Sequence, residues 1–298
     1  YNLKMTHQNE VFNLNYLLSG SEGTLGIVTK LRLKLTPIPK YTHLFAIQYD
    51  TFQDALKEGY QLRTYQPLAI ETVNDTLLEL VKDDELYYDV KSMIEPKSGE
   101  NVRAINLVEV VADTPSDLKQ QCAIIEKYLT QGNDTQHSKS SYQIGYHSTS
   151  DPTQISQLWN VRKKAAGLLG NMAGHKKPIP FVEDTVVPPE HLADYIKELR
   201  ALLDRHQLVY GMFGHIDVGC LHVRPALDMT QEKDRKLISE LTEQVHLLVK
   251  KYHGILWAEH GKGFRSQYLK DYFGPTLHQA LREIKTAFDP HDKLNPGK

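Results

Sequence analysis

The stretch Gly214–His222 reads GHIDVGCLH, and it joins two segments predicted as strands, 208–213 and 220–224, the second of which begins within it. His215 and His222 are seven residues apart, so an unbroken strand would place their side chains on opposite faces. The triplet Asp217-Val218-Gly219 between them is typical of a turn. The sequence therefore predicts a hairpin that folds the chain back and brings both imidazoles to the same side.

Strands and helices are interspersed around this hairpin without a regular β-α-β order. Leu31, Leu33 and Leu35 alternate with Arg32 and Lys34, which predicts a strand with one buried face. Further strands are predicted at 44–49, 104–111, 142–147, 181–187 and 254–258. Helices are predicted at 52–64, 115–130, 152–170, 189–206, 230–252 and 276–287, and loops at 82–85 and 132–141. This order favours an α+β fold, an antiparallel sheet with helices packed on one face.

A second pair of polar groups follows the apolar run 254–258, where Glu259 and His260 precede Gly261. Two neutral imidazoles and one carboxylate leave a divalent cation an open position for water or substrate. We therefore predict that His215, His222 and Glu259 bind zinc, manganese or ferrous iron, with His260 as general base. The alternative is that these histidines are scattered among the 14 in the chain and are hydrogen-bonded in turns.

A glycine-rich loop lies near the start of the chain, with Gly20, Gly23 and Gly26 three residues apart in SGSEGTLG, residues 19–26. Glycine lets the backbone approach a ligand closely and point its N–H groups at phosphate oxygens. The spacing is not G-x-G-x-x-G and a strand is predicted after the loop, which argues against a Rossmann nucleotide site. The alternative is an ordinary glycine-rich turn.

Cationic side chains offer a site for a carboxylate. Arg162 lies in a predicted helix beside two lysines, and its planar guanidinium can bind a substrate carboxylate through two parallel hydrogen bonds. Lys176 and Lys177 are further candidates. For Arg162, the alternative is a solvated cationic face. Glu183 and Asp184 have two interpretations. Either they are an exposed acidic pair, or one of them orders a lysine or a histidine near the site.

Composition excludes several classes of protein. The 298 residues carry a net charge of −2, so no strong basic bias toward nucleic acid is present. No apolar run reaches the roughly 18 residues that a membrane span needs. Cys122 and Cys220 are the two cysteines, which makes a disulfide framework or a cysteine-ligated cluster in this chain unexpected and favours a reducing compartment. The first residue is Tyr1, and both ends resemble cuts through a longer polypeptide.

Four motifs, in order, resemble those of the FAD-linked oxidases of the vanillyl-alcohol-oxidase and p-cresol methylhydroxylase type, in the D-2-hydroxy acid dehydrogenase branch. These are SGSEGTLGIVT at 19–29, GHIDVGCLH at 214–222, AEHGKG at 258–263 and DPHDKLNPGK at 289–298. The sequences GHIDVGCLHVRPALD at 214–228 and WAEHGKGFRS at 257–266 resemble those of a bacterial subgroup. In that subgroup, a cysteine-rich iron–sulfur half follows the flavoprotein half. Cys220 stands where the family has Asn, and Val218 interrupts its G-D-G turn, so the substrate is less certain than the reaction type.

The resemblance implies roles for particular residues. The metal ligands would be His215, His222 and Glu259, and the catalytic residues His260 and Arg162. The substrate would contact Arg162, Lys177 and Cys220. The FAD would contact Ser19, Gly20, Ser21, Glu22, Gly23, Thr24, Gly26, Ile27, Val28 and Asn295.

The resemblance also implies a domain arrangement. Residues 1–40 would be the remnant of an FAD-binding domain, and residues 41–298 a ferredoxin-like substrate and cap domain. The last stretch of that domain, about 40 residues, would return to the flavin side. FAD binding would need an N-terminal half outside this chain, and 4Fe-4S clusters would lie only in a C-terminal half outside it.

The activity implied is oxidation of a D-2-hydroxy acid to the 2-oxo acid, with D-2-hydroxyglutarate ranked before D-lactate, hydride transfer to FAD and a divalent metal (zinc, manganese or iron). This activity would need an electron acceptor downstream. It is compatible with a homo-oligomer and with a cytoplasmic location, including a peripheral position at the inner membrane face. Binding of nucleic acid and a transmembrane segment are not expected. Two alternatives remain open, a flavin-independent metal-dependent hydrolase using the His/His/Glu site and a non-catalytic interaction lobe.

Overall fold

A computed structural model describes residues 1–96, 99–131, 142–171 and 174–298. The predicted loop at 132–141 lies outside the described residues. The chain divides into two compact units. Unit 1 comprises Tyr1–Pro37 and Trp257–Lys298, and unit 2 comprises Ile38–Leu256.

The strands and helices of the described residues are as follows. The strands are β1 His7–Gln8, β2 Val11–Phe12, β3 Tyr41–Tyr49, β4 Ala69–Asn74, β5 Ala104–Ala112, β6 Gly145–Thr149, β7 Lys177–Pro178, β8 Thr185–Val186, β9 Tyr210–His215 and β10 Cys220–Leu227. The helices are α1 Leu3–Thr6, α2 Asn15–Leu18, α3 Phe52–Leu62, α4 Asp75–Lys82, α5 Leu86–Ile94, α6 Pro115–Gln131, α7 Pro152–Gly170, α8 Leu192–Arg205, α9 Glu232–Lys251 and α10 Leu269–Phe288. Among the described residues, no helix combines the length and apolar character needed to cross a bilayer.

Unit 2 is built on an antiparallel sheet with the strand order β6-β3-β5-β4-β9-β10-β7, and β8 also pairs with β10. Strand β4 lies between the β3–β5 pair and the β9–β10 hairpin, because it pairs with β5 on one side and with β9 on the other. Glu71 of β4 is in register with Leu107 of β5 on one side and with His215 of β9 on the other. The predicted α+β class with an antiparallel sheet is confirmed.

Helices pack on both faces of this sheet, whereas the sequence predicted one. Leu44 and Ala46 of β3 pack in a core with residues of α4, α5 and α7. Phe45 and Ile47 alternate with them and are equally buried, so they face the other side, where α3 and α6 pack. A central strand that is apolar on both faces needs a helical layer on each.

Helix α7 positions a cationic side chain over the sheet. Asp151 caps its N-terminus, accepting hydrogen bonds from the backbone N–H groups of Thr153 and Gln154, and Pro152 occupies the first turn, where a missing N–H costs nothing. The apolar side chains of Leu158, Val161 and Leu169 are buried in the core, which leaves Arg162 at the edge of that buried stripe.

Some sequence predictions differ from the structure. Residues 27–39 form no strand among the described residues, and Leu31, Leu33 and Leu35 are exposed. An alternating sequence forms a strand only where a second strand is available to pair with it. The run 254–258 contributes a single bridge, from Ile255 to Val186. Strand β4 and helices α4 and α5 were not predicted; the acidic loop at 82–85 connects those two helices.

Unit 1 combines short N-terminal elements with the helix α10. Strands β1 and β2 pair antiparallel, and α1 packs against α2. Gly274 in α10 has non-helical angles (φ 71°, ψ 170°) and is followed by Pro275, so the helix is kinked there.

Candidate active site

The β9–β10 hairpin holds both predicted histidines on one face of the unit 2 sheet. His215 is in register with Cys220, and His222 is in register with Phe213. Directly opposed residues of an antiparallel pair share a face, and the two imidazole rings lie with their centroids 5.4 Å apart and their planes at 88°. The turn therefore does what its sequence predicted and brings the two rings together.

Gly219 makes this tight turn feasible. Its φ of +77° lies in the left-handed region, and a Cβ atom added there would lie 1.9 Å from the backbone oxygen of Val187. Any other residue would have to displace the backbone at the start of the β8–α8 connection. The glycine is required both by conformation and by space.

Glu71 is the group that the sequence analysis did not find. It lies on β4, opposite His215, and its carboxylate accepts a hydrogen bond from Nδ1 of that ring. The other carboxylate oxygen accepts a hydrogen bond from Nε of Arg162 at 2.9 Å. Burial by itself would raise the pKa of Glu71, but the hydrogen bond from His215 and the adjacent charge and hydrogen bond of Arg162 outweigh it and lower that pKa.

An ionised Glu71 selects one tautomer of His215. The carboxylate can only accept, so Nδ1 carries a proton, and in the neutral ring Nε2 keeps its lone pair. A carboxylate behind an imidazole in this way orients the ring and raises its basicity as a metal ligand. The donor set of two adjacent imidazoles, one with a supporting carboxylate, suits a divalent transition metal.

Arg162 and Arg224 both stack against Phe213, with their Cζ atoms 4.8 Å and 5.5 Å from the ring centroid. Glu183 accepts two hydrogen bonds from Arg224, at 2.6 Å from Nε and 2.8 Å from Nη2. Arg162 uses Nε for Glu71, and among the described residues its terminal nitrogens have no hydrogen-bond acceptor. Its planar donors therefore remain available to a carboxylate.

The second imidazole has acidic neighbours of its own. Glu183 places Oε1 3.7 Å from Nδ1 of His222, and both side chains are buried. Cys220 lies two residues before His222 on the same face of β10, with Sγ 3.7 Å from Oδ1 of Asp184. Cys220 is thus buried, at 2% relative exposure, next to the histidines of the hairpin, and its predicted contact with substrate stays a prediction.

Lys177 is located farther along the sheet. It forms part of β7, is in register with Leu227 and is exposed. Its Nζ lies 3.4 Å from the backbone oxygen of Gly170. Its predicted role toward substrate stays a prediction.

In unit 1, Glu22 of the glycine-rich loop organises the AEHGKG segment. Its carboxylate accepts hydrogen bonds from the backbone N–H of Lys262, at 3.0 Å, and from the Nζ of the same residue. Asn295 donates a hydrogen bond from Nδ2 to the backbone oxygen of Glu22 at 2.7 Å. Three motifs that are distant in sequence therefore meet around one residue.

These motifs border an open groove of about 1760 Å³ within unit 1. Ser19, Gly20 and Thr24 contribute to it from the loop. Gly20 and Gly23 have positive φ angles and open space where a Cβ would be, so a ligand can approach their backbone closely. The predicted contact of this loop with FAD stays a prediction. Ile27 and Val28 are exposed.

Glu259 and His260 also belong to unit 1, where both are about half exposed and where Nε2 of His260 lies 3.4 Å from Oε1 of Glu259. Their predicted action together with His215 and His222, which belong to unit 2, stays a prediction. The sequence did not predict Glu71 or Arg224, nor that Glu183 lies next to Arg224 and His222. A buried acid within the apolar strand AIETVN was the available signal for Glu71.

Residues 38–298 match the family of FAD linked oxidases, C-terminal domain. The chain belongs to this family. The solved structures of 4-ethylphenol oxidase from Gulosibacter chungangensis and of p-cresol methylhydroxylase share its fold. The TM-scores are 0.61 and 0.60, at 15% and 14% identity. The alignments cover 89% and 87% of this chain and 55% and 52% of those chains.

Among curated proteins, the chain is 45% identical to a D-2-hydroxyglutarate dehydrogenase of Pantoea ananatis and 42% identical to one of Escherichia coli. The alignments cover 97% and 100% of this chain but only 28% and 29% of those proteins. A mitochondrial D-lactate dehydrogenase [cytochrome] of Arabidopsis thaliana is 27% identical over 96% of this chain and 47% of its own length. The hydrolase alternative receives no support from these relatives.

Proposed function

We propose that this chain is the substrate-binding and catalytic part of a flavin-dependent dehydrogenase that oxidises a D-2-hydroxy acid to the 2-oxo acid. D-2-hydroxyglutarate is the first candidate substrate and D-lactate the second, because relatives at 42–45% identity carry the former name and one at 27% the latter. The observation that carries the proposal is that the buried Glu71 binds both His215 and Arg162, with the ring of His222 next to that of His215.

A 2-hydroxy acid offers two groups to such a site. Its carboxylate suits the terminal nitrogens of Arg162, which Glu71 holds in place through Nε. Its hydroxyl oxygen would lie toward the two imidazoles. A guanidinium restrained by a buried ion pair and by stacking on Phe213 orients a carboxylate with little further loss of side-chain freedom.

His215 and His222 would hold a divalent cation, with Glu259 as the predicted third ligand. When bound, this cation would supply Lewis-acid chemistry that lowers the pKa of the substrate hydroxyl, and FAD would supply the hydride acceptor. His260 would accept the hydroxyl proton on a ring nitrogen. Ser19, Gly20, Glu22 and Thr24 would contact the flavin, because they border the groove of unit 1. Asn295 would contact it beside Glu22, to whose backbone oxygen it donates a hydrogen bond.

The chain spans less than a third of the length of the D-2-hydroxyglutarate dehydrogenases that it matches. We therefore propose that it works within a longer polypeptide, in which residues 1–40 complete an FAD-binding domain and residues 41–298 form the substrate domain. Electron transfer from the flavin to iron–sulfur clusters and to a further acceptor belongs to that longer protein.

The test is anaerobic mixing of the intact polypeptide with D-2-hydroxyglutarate or D-lactate while the flavin absorbance is recorded. We expect bleaching by D-2-hydroxyglutarate, loss of bleaching with His260→Ala and retention of the bound flavin in that variant. His206→Ala, at the C-terminal end of α8 in unit 2, is the control and should bleach normally. Bleaching that persists in the His260 variant would refute the assigned proton acceptor, and its absence from the unmodified protein with both substrates would refute the function.

A further inference from the structure

Asp184 has two unusual properties for a residue between two short strands. Its side chain is fully buried, with 0% relative exposure, and its backbone is left-handed, with φ +70°. Aspartate enters this region more easily than most residues, but the conformation still costs free energy relative to the β region. The surrounding fold thus maintains both a buried carboxylate and an unfavourable backbone at one position.

The backbone conformation changes where consecutive side chains point. In an extended strand Glu183 and Asp184 would face opposite sides. Here both approach the same imidazole. Glu183 lies 3.7 Å from Nδ1 of His222, and a carboxylate oxygen of Asp184 and a ring nitrogen of His222 lie within 4.8 Å of each other. The left-handed residue thus directs a second acid toward the histidine that β10 supplies.

The two acids differ in what they contact. Both oxygens of Glu183 bind the guanidinium of Arg224. Asp184 lies against Cys220, with Oδ1 3.7 Å from Sγ, at the strand position that pairs with His215. Asp184 is therefore directed toward β10, where it lies near both Cys220 and the imidazole of His222.

We propose that Asp184 is a further carboxylate ligand of the divalent cation that His222 would bind. The inference rests on the metal site of the proposed function. Carboxylate oxygens bind transition metals at about 2.0–2.2 Å, and two ligands of one ion lie a few ångströms apart, a separation that the distance between Asp184 and His222 allows. A buried carboxylate is stabilised by a cation, which gives a physical reason to maintain it here.

The decisive variant is Asp184→Asn in the intact polypeptide. Asparagine keeps the size of the side chain and also tolerates the left-handed region, so the fold should persist. We expect Mn²⁺ to bind at least about 10-fold more weakly, the lower bound seen when even a group supporting a ligand is removed. Binding is followed by the electron paramagnetic resonance signal of free Mn²⁺. Cobalt-loaded protein should show shifted visible absorption bands, since one oxygen ligand is lost.

Asp184→Gly provides a second variant, because it removes the carboxylate while relieving the backbone strain, and it should bind Mn²⁺ as weakly as the Asn variant. Asp194→Asn, which removes one negative charge from the exposed side of α8, is the matched control and should bind normally. Unchanged Mn²⁺ affinity in both Asp184 variants, or weakened affinity with an unshifted cobalt spectrum, would overturn the proposal. Absence of Mn²⁺ binding by the unmodified protein would instead refute the metal site itself.

Discussion

Glu71 accepts a hydrogen bond from Nδ1 of His215 across the β4–β9 pair, although the two residues are 144 positions apart in sequence. The carboxylate is buried and is also bound by Arg162. One acid thus sets the tautomer of a predicted metal ligand and the position of a predicted substrate-binding guanidinium. Perturbing it should affect both functions.

We expect Glu71→Gln to weaken Mn²⁺ binding by about 10- to 100-fold, the usual effect of removing a carboxylate behind a metal-binding histidine. The amide no longer enforces protonation of Nδ1, so His215 presents Nε2 less often. A titration that follows free Mn²⁺ measures this. Glu79→Gln, whose side chain is 63% exposed and pairs with Lys82, is the control and should change nothing. Equal affinity in the two variants would contradict the role of Glu71.

Arg162→Lys should raise the KM for the hydroxy acid by about 10-fold or more, since lysine keeps the charge but lacks the two parallel donors that match a carboxylate. Steady-state kinetics with a dye acceptor measure KM and kcat separately. Lys164→Met removes an exposed cation from the same helix, where it pairs with Asp84 at 3.3 Å, and should leave KM unchanged. A similar KM in the Arg162 variant and the unmodified protein would mean that another group binds the carboxylate.

Gly219→Ala should lower the free energy of unfolding by more than roughly 2 kcal/mol, because left-handed strain of about 1–2 kcal/mol adds to the clash with Val187. Gly167→Ala is the counterpart within α7, where an added Cβ meets open space. It should stabilise the protein by roughly 0.5–1 kcal/mol, since alanine is the better helix former. Urea denaturation measures both. The turn hypothesis fails if the two substitutions behave alike.

The acid stability of the C-terminal motif should depend on Asp289. Its carboxylate accepts hydrogen bonds from Nζ of Lys285 and from the backbone N–H groups of Leu294 and Lys293, which lower its pKa from 3.8 to about 2. Because the folded pKa is depressed, the stabilisation is complete above pH 3.8 and is lost as the pH falls through about 2.

Hydrogen exchange at the amides of Lys293 and Leu294 measures this dependence. Protection should fall between those two pH values in the unmodified protein and should be low and pH-independent in Asp289→Asn. Asp292→Asn, which removes a more exposed partner of Lys285, should keep the pH dependence. Protection that persists below the folded pKa of Asp289 would show that its charge does not hold the motif.

Local patterns predicted much of the fold. The spacing of apolar residues and the caps placed α3, α6, α7 and α9 within a few residues, because these helices depend on neighbours three or four positions away. The hairpin of β9 and β10 was equally predictable, since its turn residues lie between its strands. The strand expected at 31–35 was wrong for the opposite reason: pairing depends on a second segment that the pattern does not contain.

The candidate site divides in the same way. Histidines, glycines and arginines in short motifs identified His215, His222 and Arg162 as residue types suited to metal and carboxylate binding. Their partners were not predictable. Glu71 comes from a strand that precedes the hairpin by more than a hundred residues, and Arg224 and Glu183 meet only because β8 and β10 are neighbours.

The amino-acid sequence by itself determined the α+β class, most of the helices, the turn between the two histidines and the chemistry of the groups available for a site. Each of these depends on residues close together in the chain. Only the tertiary structure decided which acid supports which base, that both faces of the sheet are covered, and that Asp184 turns toward His222. These relationships depend on strand order and on one left-handed residue, which are set by packing over the whole unit rather than by any local pattern.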